Sequence, residues 1–192
     1  MALSVPEKSP ETDSVLTVTA VPNHVKTRKK ASEANSRLRP ELFLTLHLQS
    51  NPEALCLVRA TVQRATEVMD FPERDSRAIV RSVDEALANV IEHAYKGRSG
   101  LPIEVSCSRL WSAKDRKAPK GIEILLKDSG IASDPRKFKS RSLDDLRPGG
   151  LGIHFIKQSM DVVEFNRKSG QNLLRMVKYL AAQKPEATPQ GE

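Results

Sequence analysis

Aromatic residues are scarce in this chain: one Trp, two Tyr and five Phe make up 4% of 192 residues. A core built around rings is therefore excluded, and it has to be mainly aliphatic, as in a small α/β domain. Cysteine is equally rare. Cys56 falls in a helical pattern and Cys107 in a strand pattern, far apart among aliphatic residues, which excludes a disulfide framework and predicts two buried free thiols. Four scattered histidines offer no zinc spacing. No apolar run approaches the roughly 20 residues that cross a bilayer, and the N-terminus lacks the charged-then-apolar pattern of a leader. The expectation is a cytoplasmic protein with no membrane contact. The net charge of +7 is scattered, and no stretch interleaves Lys or Arg with aromatics, which argues against direct nucleic-acid binding.

What is present divides the chain into three parts. Residues 1–40 carry Pro6, Pro10, Pro22 and Pro40 among polar residues and read as a mostly disordered tail. Val15 to Val21 is β-like but isolated, and the Lys26 to Lys30 cluster reads as solvated tail. Residues 41–182 read as one domain, and 183–192, with Pro185 and Pro189, as a frayed end.

Within the domain, Leu42, Leu44, Leu46 and Leu48 alternate and predict a strand with those four on one face. Ser50 or Asn51 can cap the helix that follows, with Pro52 in its first turn. Leu55, Val58, Val62, Ala65 and Met69 form its buried stripe. A second helix starts near Pro72, with Ile79, Val83, Leu87, Val90 and Ala94 inward. Strands follow at Ile103 to Leu110 and Gly121 to Lys127. Gly130 to Arg147 is charged and aperiodic and reads as a lid. A short helix over Gly152 to Met160 and two closing strands complete the order β-α-α-β-β-lid-α-β-β. This order predicts an α/β two-layer sandwich, with helices on one face of a mixed, mostly antiparallel sheet, rather than a doubly wound sheet.

Three motifs stand out on this frame. Glu85 and Asn89 are four apart on the second helix, at the edge of its apolar stripe, so they share a face that can line a cleft. A carboxamide oxygen is a hard ligand suited to Mg, and a carboxylate can serve as a general base. Lys127-Asp128-Ser129-Gly130 ends a strand. Pro148-Gly149-Gly150-Leu151-Gly152-Ile153 opens a helix, where backbone amides favour phosphate. No Gly-Lys-Ser/Thr follows, so this is not a Walker loop.

Glu-x-x-x-Asn, Asp-x-Gly and Gly-Gly-Leu-Gly in this order resemble the GHKL (Bergerat) ATP-binding fold. Asp84-Glu85-Ala86-Leu87-Ala88-Asn89-Val90-Ile91-Glu92-His93-Ala94-Tyr95 is similar to its anti-sigma factor serine/threonine-kinase branch. The resemblance covers roughly residues 42–180. It implies ATP and Mg as cofactors, with Glu85 as general base and Asn89 as the metal ligand. It implies that Asp128 accepts the adenine amino group over Gly130, and that Gly149, Gly150, Leu151 and Gly152 wrap the phosphates, with Arg147 within reach of them. His93 and Tyr95 read as packing residues. Such kinases phosphorylate a STAS-domain anti-anti-sigma protein and hold a sigma factor or another output regulator, often as homodimers. The alternative is a regulatory module that binds ATP and partners without transferring phosphate. Two departures are visible: Ala132 replaces the second glycine of Asp-x-Gly-x-Gly, and Gln171 stands where the branch usually has a threonine that helps hold adenine.

Overall fold

The computed structural model describes residues 17–20, 38–113, 116–132 and 151–180. Its described strands are β1 (Thr17–Ala20), β2 (Leu38–Gln49), β3 (Pro102–Ser112), β4 (Gly121–Asp128), β5 (Val162–Lys168) and β6 (Gln171–Tyr179). Its described helices are α1 (Ala54–Val68), α2 (Glu73–Asn89, running on through a wider turn at Val90–Ala94) and α3 (Leu151–Ser159).

The strands form one sheet in the order β1-β2-β3-β4-β6-β5. Every neighbouring pair in it is antiparallel, so the sheet is not mixed as expected. Leu46, Val105, Leu126 and Leu174 pair across four strands, as do Leu44, Cys107, Ile124 and Met176. All eight are buried against the helices. The opposite face is polar: Lys127 pairs with Glu104, and Arg175 bridges Glu123 and Glu164. One dry face and one ionic face make a two-layer sandwich, with helices on one side only.

Two sequence readings of the β2 region need correction. Leu42 pairs with Ser108 but Leu44 with Cys107, because a bulge at Phe43 inserts an extra residue. Leu42 therefore turns away from the face shared by Leu44, Leu46 and Leu48. Thr17–Ala20, part of the β-like stretch expected to stand isolated in a mostly disordered tail, pairs with β2 as the edge strand of the sheet. The remainder of residues 1–37, the expected lid between 133 and 148, and residues 183–192 lie outside the described residues.

The helices form largely for the reasons the sequence suggests. In α1, Val58, Val62, Ala65 and Met69 are buried. Asn51 Oδ1 accepts the Glu53 amide at 3.0 Å and turns the chain into the helix. Ser50 is not the cap: its hydroxyl donates to Arg98 O (2.7 Å) and accepts the Leu101 amide (3.0 Å), stapling the end of β2 to the loop before β3. Cys56 is exposed rather than buried, whereas Cys107 is fully enclosed and burial pushes its thiol up to about 12. At the start of α2, Glu73 and Asp75 in the first turn complement the helix dipole. Its inward stripe of Ile79, Val83, Leu87, Val90 and Ala94 is buried. The wider turn is closed by Tyr95 N–H donating to Val90 O at 2.8 Å, one residue beyond α-helical spacing. Lys96 and Gly97, both at positive φ, then end the helix.

Candidate nucleotide site

Helix α2 carries both ends of the site. Glu85 and Asn89 lie half-buried on one of its faces, one turn apart. The start of α3 is laid directly against them. A Cβ built on Gly152 would stand 2.6 Å from Glu85 Oε2 and 3.7 Å from Asn89 Nδ2. A side chain at this position would push the Glu85 carboxylate aside, so glycine is what lets the two meet. The amides of the first turn of α3, which have no acceptor within their own helix, and the two polar side chains of α2 therefore lie close together. Arg81, one turn before Glu85, stacks its guanidinium 4.2 Å over the Phe155 ring and ties α3 to α2.

At Ala94, about 13 Å from Glu85 along the helix axis at 1.5 Å per residue, the wider turn of α2 meets the end of β4. Asp128 is the last residue of that strand and is buried. Its Oδ1 accepts the Gly130 amide (2.8 Å) and the Asn172 side-chain amide (2.7 Å). Gly130 is fixed by packing, since a Cβ there would lie 2.6 Å from Ala94 O and 2.7 Å from Ala94 Cβ. Next in the chain, the Ile131 amide donates to Ala94 O at 3.0 Å.

Tyr95, buried beside this turn, donates its hydroxyl to Pro102 O and accepts the Ser129 amide at 3.0 Å. Burial is the main cause that pushes its phenol above the ordinary range, with the Asp128 charge adding to it. Tyr95 is thus the packing residue expected. His93, expected to pack, instead faces solvent.

The structure therefore brings Glu85, Asn89 and Gly152 together at one end and Asp128 and Gly130 at the other. Leu151 is the first residue of α3. Arg147, Gly149 and Gly150 lie outside the described residues. Gln171 is exposed at the start of β6, whereas its neighbour Asn172 is buried against Asp128. Of the two, it is Asn172 that reaches Asp128. The sequence held a usable sign: Asn172 is in period-two register with apolar Leu174 and Met176, a polar residue on a buried face. Arg167 and Arg81 carried no such sign, because each lies among other basic residues. Among the described residues no three His, Cys, Asp or Glu side chains gather as a metal site.

A one-sided antiparallel sandwich, with an Asn one turn after a Glu beside a helix whose second residue is glycine and a buried Asp-x-Gly turn at the far end, defines an ATP-binding domain of the GHKL class. The histidine kinase-like ATPase domain model matches residues 48–178, and the chain belongs to that family. Its relatives include the serine-protein kinase RsbW of Bacillus pumilus, 27% identical over 146 residues that cover 72% of this chain and 86% of that protein. The serine-protein kinase RsbW of Staphylococcus epidermidis is 28% identical over 146 residues, 72% of this chain and 87% of that protein. The serine/threonine-protein kinase BtrW of Bordetella bronchiseptica is 30% identical over 102 residues, 51% of this chain and 66% of that protein.

Proposed function

We propose that the protein is an anti-sigma factor serine/threonine-protein kinase in a partner-switching system. It uses Mg-ATP to phosphorylate a Ser or Thr of a STAS-domain anti-anti-sigma protein, and it sequesters a sigma factor or another output regulator. On this reading it acts in the cytoplasm, can pair as a homodimer, and contacts neither nucleic acid nor membrane. No described helix is long and apolar enough to cross a membrane. The observation that carries the reading is the placement of the Glu85 carboxylate against Gly152, with Asn89 one turn away.

The residues present fit a magnesium nucleotide. Mg keeps several waters and takes phosphate oxygens, so a single protein oxygen, that of Asn89, can suffice. When bound, the ion neutralises charge on the phosphates. The amides at the start of α3 favour the same anionic groups. Glu85 lies one turn nearer the N-terminus of α2, where it can accept the proton of an acceptor hydroxyl and align it with the γ-phosphorus. At the other end, Asp128 presents an acceptor to the amino group of adenine, which guanine lacks at that position. Phosphorylation adds about two negative charges to the antagonist. That change can alter which of two competing partners the kinase holds.

Titration of labelled ATP and GTP, with and without Mg, tests the nucleotide half of this reading. Mg-dependent ATP binding with GTP strongly disfavoured is expected. Equal affinity for both nucleotides, or none for either, overturns it.

A further inference from the structure

Building on this adenine-side reading, we propose that Arg167 and Asn172 are positioning residues that set purine selectivity, by fixing which oxygen of Asp128 faces the base. The three side chains come from three adjacent strands in one row. Asn172 on β6 is the register partner of both Asp128 on β4 and Arg167 on β5. No local sequence motif links them; the sheet alone brings them together.

Every polar atom of the Asn172 side chain has an assigned role. Its oxygen accepts the Arg167 guanidinium, and its amide donates to Asp128 Oδ1 at 2.7 Å and to Ile131 O at 3.1 Å. A flipped carboxamide would set its NH2 against the guanidinium and its oxygen against the carboxylate, which is unfavourable on both sides. Arg167 on one side, with Asp128 and Ile131 O on the other, therefore fixes the amide in one orientation. The same guanidinium nitrogen also donates to Gly130 O at 3.1 Å and holds the turn that follows Asp128.

The consequence falls on Asp128. Its Oδ1 is occupied by two donors, Gly130 N–H and Asn172. Its Oδ2 accepts no hydrogen bond from any described residue. An acceptor that cannot turn away selects a ligand with a donor at that point, a 6-aminopurine. Without the guanidinium the carboxamide loses the donor that holds its oxygen and the turn after Asp128 loses its tether, so the carboxylate is held less firmly in direction. The loss then falls on the discrimination between purines more than on nucleotide binding as such.

The test compares ATP with purine riboside triphosphate, which has hydrogen in place of the 6-amino group. Affinities for both are measured on the wild type, Arg167→Met, Asn172→Leu and the double variant, with thermal unfolding of each without nucleotide. Arg167 is exposed on an edge strand, so its variant is expected to fold; Arg167→Gln is the second choice. The wild type is expected to prefer ATP by roughly ten- to a hundredfold, the worth of one charge-assisted hydrogen bond. Each single variant is expected to lose most of that preference, and the double variant no more than either alone, because the two act through one chain of bonds. Variants that keep the wild-type ratio overturn the proposal, even if they unfold earlier or bind both nucleotides more weakly. A wild type that binds both nucleotides equally overturns the adenine role of Asp128, and this proposal with it.

Discussion

Glycine 152 concentrates the proposed chemistry into one atomic contact. Its missing Cβ is the space in which Glu85 Oε2 lies. The obstacle to a larger residue is the far end of a flexible side chain, so Gly152→Ala is expected to cost little stability, under about 1 kcal/mol, while pushing the carboxylate out of line. Phosphate transfer should then fall well over tenfold with the unfolding midpoint in urea almost unchanged. An unaltered transfer rate would show that the contact is incidental. Gly130 behaves differently, because the atoms that exclude a side chain there belong to the Ala94 backbone as well as its Cβ. Both glycines stand in motifs visible in the sequence, yet the neighbour that demands each one is distant in the chain and only the fold identifies it. Asn172 shows the same limit. Its register marks it as buried, but its partners Asp128 and Arg167 depend on strand order, which periodicity does not encode.

Among the elements, α2 was the most legible. Its apolar stripe, acidic first turn and Glu85–Asn89 pair can all be read at helical spacing. Its closing wide turn was not, because adding one residue between hydrogen bonds leaves no mark on composition. That turn matters, since it delivers Ala94 and Tyr95 to the Asp128–Gly130 corner. Strand β2 was read correctly as a strand but with one residue on the wrong face, because alternation continues through Leu42 while the bulge at Phe43 shifts the register. Strand β1 is legible only as an isolated β-like stretch within Val15 to Val21: its pairing is not, because it is specified by the open edge of β2 rather than by itself. Val18→Pro should detach it, because proline cannot donate to the ladder. The expected result is faster hydrogen exchange along the outer edge of β2 at Leu44 to His47, with the β3–β4 amides still protected. Loss of protection across the whole sheet would show that β1 is integral to the domain instead of an addition to it.

For the whole molecule, the sheet sets the division of labour. Its apolar face holds the helices, and its other face is satisfied by ion pairs such as Lys127 with Glu104, each worth little in stability but enough to keep that side in water. The proposed nucleotide site then lies on the helix side, strung along α2 from Glu85 to the Asp128 corner. Membership in the histidine kinase-like ATPase domain family supports the use of ATP, and its place along α2 is the proposal made above. The proposed kinase activity rests on Glu85, whose proposed part differs from that of Asn89: one would act on the acceptor hydroxyl, the other on the metal ion. The most direct measurement is phosphate transfer from labelled ATP to a cognate STAS-domain protein by wild type and Glu85→Ala, with an ATP titration of each. The wild type should transfer, and Glu85→Ala should be slower by about 10²–10⁴ while binding ATP almost as tightly. Transfer by Glu85→Ala at the wild-type rate would contradict the general-base role. A wild type that binds ATP and its partner yet transfers nothing would leave a regulatory module that acts by binding alone.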